Sequence, residues 1–266
     1  MQIVSKMMVD GTLTAAGVSK FYRTAKPEKA AGPINGLRAF DAKISSREIV
    51  GVVGSSGSGK STLARLLTGG IQPDEGMIEI NGTPITSLSP RSRATYVQHV
   101  QQDPTTALNP ARQVWKSVAL PLIAAGAAKK VAHREALEML LQVGLTSDQG
   151  AMYPGQLSIG QRQRVSIARA LIGEPMFVVC DEPTSALDLS VQAQIINLLL
   201  DLKQARKFGL VFISHDVILV RQISDRILVL DGGSLVDDFA SSEELENLSH
   251  AGRALFSAAL FEEKQP

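Results

Sequence analysis

A single cysteine, Cys180, in 266 residues means that no disulfide can form within the chain, which fits a reducing compartment. It lies inside an apolar run, so a buried, inert thiol is expected rather than a reactive one. An excess of one charge is also missing: 27 Lys+Arg face 26 Asp+Glu, with no dense run of Lys/Arg. A broad basic field of the kind that holds nucleic acid is therefore not expected. Long apolar runs are lacking too. The longest, VALPLIAAGAA from Val118 to Ala128, is too short to span a bilayer and contains Pro121. The opening MQIVSKMMVDG has no basic-then-apolar layout of a secretory signal. The expectation is a chain that is soluble by itself and works at a membrane only through partners. Tandem repeats and low-complexity segments are absent from the sequence.

What is present is enough apolar material for a substantial core, 44% of the residues. Leu13–Tyr22 and Leu37–Ile44 read as strands, separated by the surface loop TAKPEKAAGP. EIVGVVG, Glu48–Gly54, reads as a strand buried on both faces of a parallel sheet. A helix is expected within GKSTLARLLTGG, stopped by Gly69–Gly70. GMIEINGTPI reads as a hairpin with Asn81-Gly82 as its turn. Val114–Ala125 and Val131–Val143 have helical periodicity, and a third helix begins near Ile159. MFVVCD (Met176–Asp181), GLVFIS (Gly209–Ser214) and RILVL (Arg226–Leu230) return to strand, with a helical stripe at Val191, Ile195, Leu198, Leu199 and Leu202. This alternation predicts an α/β fold with a parallel sheet covered by helices. The tail from Ser241 reads as short helices opened by a Ser241–Glu244 capping box.

The chemistry is concentrated in GSSGSGKST, Gly54–Thr62, which follows a buried strand and precedes a helix as a phosphate loop must. Gly54, Gly57 and Gly59 permit turns that aim backbone N–H groups at phosphate oxygens, with Ser55, Ser56 and Ser58 between them. The helix start adds its positive end. Lys60 is placed to bridge the β- and γ-phosphates of a nucleotide, the Ser61 hydroxyl to ligate Mg²⁺, and Thr62 completes the motif, which by itself leaves kinases, GTPases and many ATPases open.

LSIGQRQRVSIARAL, Leu157–Leu171, followed by MFVVCDEP, resembles the signature region of the ATP-binding-cassette (ABC) ATPases. The family's motifs recur in order from about Tyr22 to His215. The resemblance implies a P-loop NTPase with a RecA-like parallel core, an antiparallel β subdomain and a helical subdomain. One cassette then covers 1–266: 13–95 the β subdomain plus phosphate loop, 96–165 the helical subdomain, 166–240 the rest of the core, and 241–266 a C-terminal helical tail. It also implies site roles. Asp181 would hold Mg²⁺ through water and Glu182 would polarise the attacking water. Gln102 would touch the ion and report nucleotide occupancy, although Gln101 beside it stands where relatives usually have an aromatic. Ser185 and Asp188 match the D-loop, and His215 the switch histidine. Tyr22, with Phe21 as rival, would stack on adenine. Ser158, Gly160 and Gln161 would act in trans on a partner's nucleotide, with Ile159 in place of the usual first glycine. His99, His133 and His250 have no such setting and read as surface or packing residues.

QDPTTALNPARQV, Gln102–Val114, resembles a hallmark of the peptide and nickel importer group. The length and the AGRALFSAAL tail look like the second ATPase subunit of nickel-type importers, with peptide-type subunits next. The implied partners are a second cassette subunit in a heterodimer, two transmembrane permease subunits and an extracytoplasmic solute-binding protein, at the cytoplasmic face of the inner membrane. Trp115 is either part of the permease contact or a core residue of the helical lobe. Two other classes compete: a soluble cassette ATPase of DNA repair, chromosome structure or translation, and a regulatory cassette that binds ATP without turnover. The short segment from Gln102 to Leu157, without heptads, speaks against the first. Glu182 and His215 speak against the second.

Overall fold

The computed structural model describes residues 10–22 and 35–262. The surface loop read at TAKPEKAAGP and nearly all of the opening segment lie outside them. In chain order the elements are β1 (Thr12–Tyr22), β2 (Asn35–Ser45), β3 (Ile49–Gly54), α1 (Lys60–Leu67), β4 (Glu75–Ile80) and β5 (Thr83–Pro84). Then come α2 (Pro90–Ala94), β6 (Val97–Val100), α3 (Pro104–Ala107), α4 (Val114–Ala124), α5 (Lys129–Gln142), α6 (Ser147–Ala151) and α7 (Ile159–Leu171). The chain continues with β7 (Phe177–Asp181), α8 (Leu189–Arg206), β8 (Gly209–Ile213), α9 (Val217–Ile223), β9 (Arg226–Asp231), β10 (Ser234–Ala240) and α10 (His250–Glu262). None of the described helices is long and apolar enough to cross a membrane.

The strands form two sheets. One is antiparallel, in the order β2-β1-β4-β5; the other runs β10-β9-β3-β8-β7-β6 and is parallel except for β10. The β4–β5 turn is Asn81-Gly82, both with positive φ (52° and 74°), the pairing that a tight hairpin requires. In the parallel sheet, successive residues point to opposite faces. Val50, Val52, Val179, Val211 and Leu228 enter the core shared with the antiparallel sheet. Val53, Val178, Leu210, Phe212 and Val229 enter the core shared with the helices. Both faces are thus dry, which is why these strands read as continuous apolar runs. Gly51 is required inside one of them, because a Cβ there would meet the Val220 side chain of α9 at 2.3 Å.

The structure departs from the sequence reading in two places. Val97–Val100, inside the stretch assigned to the helical subdomain (96–165), is a strand on the edge of the parallel sheet, in register with β7. Four residues are too few for a periodicity to show, and sheet pairing decides their state. Ser241 and Glu244 form no capping box. Instead the Glu243 carboxylate accepts the Ala240 N–H at 3.0 Å, and a short 3₁₀ turn (Leu245–Asn247) precedes α10. Cys180 is fully buried, and desolvation pushes its thiol well above the usual range, so it is inert. Trp115 is half-buried against the helical core and meets His133 edge-on at 4.3 Å. His250 is exposed at the start of α10.

His99, on β6, is half-buried and its Nε2 has no hydrogen-bond partner among the described residues. Burial, then the charges of Arg65 and Arg169, bring its pKa down from 6.5 to about 4. The folded state therefore holds the imidazole neutral where the unfolded chain binds a proton, so stability falls as pH drops through that window. His99→Gln should remove roughly 3 kcal/mol of the stability difference between pH 7 and pH 4. Urea unfolding of both proteins at the two pH values checks this; equal losses in both would refute it.

Candidate functional site

The parallel strands deliver their C-terminal ends to one edge. The loop after β3 carries Gly54–Gly59, β7 ends on Asp181–Glu182, Ser214–His215 follow β8, and Gln102 follows β6. Glu182, His215 and Gln102 line a cleft of about 680 Å³ together with Tyr22, Gly36 and the phosphate-loop residues Ser56, Gly57, Gly59, Lys60, Ser61 and Thr62. Tyr22, 39% exposed, is among its lining residues, while Phe21 is not. Gln102, rather than Gln101, enters the cleft. Gly36 had no sequence signal, because what places it here is the pairing of β2 with β1.

The phosphate loop is shaped by steric necessity. Gly59 has φ 102° and begins α1 without a side-chain cap, and a Cβ there would lie 2.7 Å from the Gly36 carbonyl. An uncapped helix start leaves N–H groups facing the cleft, which suits an anion. Lys60 is buried, and its ammonium donates to the carbonyls of Gly54 (2.8 Å) and Ser55 (2.9 Å). Desolvation lowers its pKa, against the pull of Glu182 and Asp181. Asp181, also buried, is shifted up, mainly by desolvation, and its Oδ1 lies 3.3 Å from the Ser61 hydroxyl. A hydroxyl beside a carboxylate is a hard oxygen donor set of the kind Mg²⁺ prefers. The described residues hold no group of three or more His, Cys, Asp or Glu able to cage a metal alone. An ion here would therefore complete its shell with water and phosphate oxygens.

Glu182 is the meeting point of the cleft. Its Oε2 accepts from Gln102 Nε2 at 3.1 Å and lies 3.5 Å from His215 Nδ1. Its backbone sits in the left-handed region (φ 46°), held by an N–H bond to the Ile213 carbonyl at 2.9 Å. A non-glycine residue there is strained by about 1–2 kcal/mol, which the surrounding bonds must hold. Ser185 closes the group, accepting from Gln102 and donating to the Glu182 carbonyl. Asp188 is not among the residues that line the cleft and caps α8 by accepting the Val191 N–H at 2.9 Å.

Ser158, Gly160 and Gln161 are not in this cleft. They form the N-terminal turn of α7, where Ser158 and Gln161 close a reciprocal capping box. Ile159 is the first residue of that helix, 44% exposed and without positive φ, so the conformational freedom of a glycine is not used there. Gly160 is tighter: a Cβ would meet Val191 of α8 at 2.6 Å.

The buried ammonium gives a pair of expectations. Lys60→Met should modestly destabilise the nucleotide-free protein, because the Gly54 and Ser55 carbonyls lose their donor and buried Asp181 loses a counter-charge, which outweighs relief of the cation's own desolvation. The same change should weaken ATP binding by roughly 100-fold, about 3 kcal/mol, through loss of charge-assisted bonds to phosphate. Thermal unfolding without nucleotide and titration with a fluorescent ATP analogue measure the two; binding at parental strength would remove Lys60 from the site.

Comparison with known proteins agrees with this geometry. The family model described as "ABC transporter" matches residues 37–185, more than half of the chain. The di/tripeptide transport ATP-binding protein DppF of Pseudomonas aeruginosa (strain UCBPP-PA14) is 37% identical over 94% of this chain and 79% of its own length. The oligopeptide transport ATP-binding protein OppF of Escherichia coli (strain K12) is 38% identical over 91% of this chain and 72% of its own. Against the oligopeptide transport ATP-binding protein OppD of Mycobacterium tuberculosis (strain ATCC 25618 / H37Rv), 37% identical over 87% of this chain, the match spans only 39% of the relative. Among solved structures, the dimeric post-hydrolysis state of the ATP-binding cassette MJ0796 bound to ADP and Pi is 29% identical. It superposes with a TM-score of 0.76 over 87% of this chain and all of that one. The chain belongs to the ABC transporter family and has the fold of its ATP-binding cassette.

Proposed function

We propose that the chain hydrolyses ATP as the motor subunit of an importer, with peptides as the first-choice cargo. The observation that carries the ATPase reading is the position of Glu182, its carboxylate flanked by Gln102 and His215 at the mouth of a phosphate loop. Loop N–H groups and Lys60 would hold the triphosphate, and Tyr22 would stack on the adenine. Ser61 and Asp181, with Gln102, would hold Mg²⁺, which supplies neutralisation of phosphate charge when bound. Glu182 would orient and polarise a water molecule, its carboxylate accepting a hydrogen bond from the water O–H as the oxygen attacks, and His215 would fix the carboxylate's direction.

The signature turn of α7 lies outside the chain's own cleft, which supports a second cassette facing the first. The solved relative is dimeric by its description. We take that partner to be a different ATPase chain, with Ser185 and Asp188 near the join. Two permease subunits, a solute-binding protein and the cytoplasmic face of the membrane complete the proposal. The printed names of DppF, OppF and OppD support peptide over nickel or a metal chelate; the nickel reading rests only on the chain's length and tail.

Glu182→Gln should lower kcat of the assembled complex by about 100-fold or more while ATP binding stays within a few-fold. Unchanged turnover would assign water activation elsewhere. In a strain lacking the chain, uptake of labelled dipeptide should fall to background while uptake of labelled nickel persists. The reverse pattern would move the cargo to the metal.

A further inference from the structure

Strand β9 and the turn that follows it touch both walls of the cleft. On one side β9 pairs with β3 as far as Leu230 opposite Gly54, the root of the phosphate loop, and a Cβ on Gly54 would lie 2.2 Å from the Leu230 carbonyl oxygen. On the other side the Gly232-Gly233 turn, between β9 and β10, meets β2. The Arg38 N–H donates to the Gly233 carbonyl at 2.7 Å, and farther along β2 Arg226 donates through Nη1 to the Lys43 carbonyl at 2.8 Å. Because β2 belongs to the antiparallel sheet, these bonds tie one sheet to the other. The approach is closest at Gly233. A Cβ there would stand 2.8 Å from the Gly36 carbonyl oxygen, 3.4 Å from its carbon and 3.8 Å from the Leu37 Cα, all backbone atoms that cannot swing aside as a side chain can. The same Gly36 oxygen is the atom that a Cβ on Gly59 would meet. Gly232 differs: its φ is also positive, 51° against 86°, but a Cβ on it would meet nothing within 4 Å.

In the β1–β2 ladder Gly36 lies opposite Phe21 and Asn35 opposite Tyr22. Whatever fixes β2 at Gly36 therefore also fixes the end of β1 that carries Tyr22. We propose that Gly233 is a positioning residue for the nucleoside part of the ligand: the bare backbone of its turn sets the spacing between Tyr22, carried by the antiparallel sheet, and the phosphate loop, carried by the parallel one. Ordinary contact begins near 3.4 Å, so a methyl group on Gly233 forces β2 away by roughly half an ångström and takes Tyr22 with it. The phosphate loop, held between β3 and α1, stays in place. A gap of about 0.5–1 Å forfeits roughly a quarter to a half of a dispersion contact, so stacking weakens while the grip on phosphate is kept. The inference rests on the reading of Tyr22 as the adenine contact and adds to it a residue that does not line the cleft.

The test uses the full chain with Mg²⁺ and compares two probes by calorimetric titration: the non-hydrolysable analogue AMP-PNP, and inorganic tripolyphosphate, which offers phosphates without a nucleoside. The parent should bind AMP-PNP roughly tenfold or more tighter than tripolyphosphate, the order expected of one stacked base. Gly233→Ala should bind tripolyphosphate within about twofold of the parent and lose roughly fivefold or more of the AMP-PNP preference. Gly232→Ala carries comparable backbone strain without the contact and should keep that preference. A full preference in Gly233→Ala overturns the proposal, and so does an equal loss in Gly232→Ala. A measurement on the parent alone covers the case of a Gly233→Ala chain that fails to fold. If opening of the turn weakens nucleoside binding, the nucleoside must oppose that opening by the same factor. Exchange of the Arg38 amide, read by NMR, should therefore slow by roughly fivefold with AMP-PNP and not with tripolyphosphate. Equal exchange with both probes overturns the proposal. Where the parental preference is present, each of these failures removes the role of Gly233 alone. A parent that binds both probes equally removes the reading of Tyr22, and this inference with it.

Discussion

Everything at the cleft depends on strands that run the same way and end at the same edge. Because β3, β6, β7 and β8 are parallel neighbours in one sheet, the phosphate loop, Gln102, Asp181–Glu182 and His215 arrive together although they span more than half of the sequence. The edge beyond the C-terminal ends of an open parallel sheet is where loops can converge on a ligand without opening the core. The two dry faces hold the register that makes this convergence reproducible. A slip of one residue in β7 would exchange Val178 for Val179 between the two cores and turn Asp181 away.

The cleft is built for a ligand more highly charged than water. Lys60 and Asp181 are both buried and both shifted toward their neutral forms, mainly by desolvation. Glu182 adds backbone strain at φ 46°. These unfavourable terms sit in a fold whose cores are otherwise apolar and well covered, which is the usual distribution of strain between a site and its scaffold. A triphosphate with its cation would supply the missing charge on both sides, so binding and relief of the site's own electrostatic cost are the same event.

The helical lobe answers a different need. Its signature turn caps itself through Ser158 and Gln161 and leaves Ile159 exposed, a surface finished locally and lying outside the chain's own cleft. Arginines add polar bonds to the apolar core that the lobe shares with the parallel sheet. Arg162 and Arg169 reach α3, Arg164 reaches the Val143 carbonyl and Gln194, and Arg206 reaches Gln142 and the Leu171 carbonyl. Guanidinium groups bound to backbone carbonyls can hold two packed elements in register while tolerating small changes in their angle. Purely apolar packing would resist such changes more strongly.

The sequence alone determined the local chemistry. Gly54–Thr62 announced a phosphate loop because glycine spacing, a lysine and a following helix are properties of contiguous residues. The buried strands were legible because two dry faces force continuous apolar runs, and the Asn81-Gly82 turn because both residues accept positive φ. Only the tertiary structure decided what depends on partners distant in the chain. β6 became a strand because β7 offered it a free edge, Gly36 joined the cleft through its pairing with β1, and Glu243 displaced the expected cap at Ser241. It also decided that Gln102 meets Glu182 and that Arg162 meets Thr105. Such contacts are set by how sheet and helices pack, and spacing along the chain carries no record of that distance.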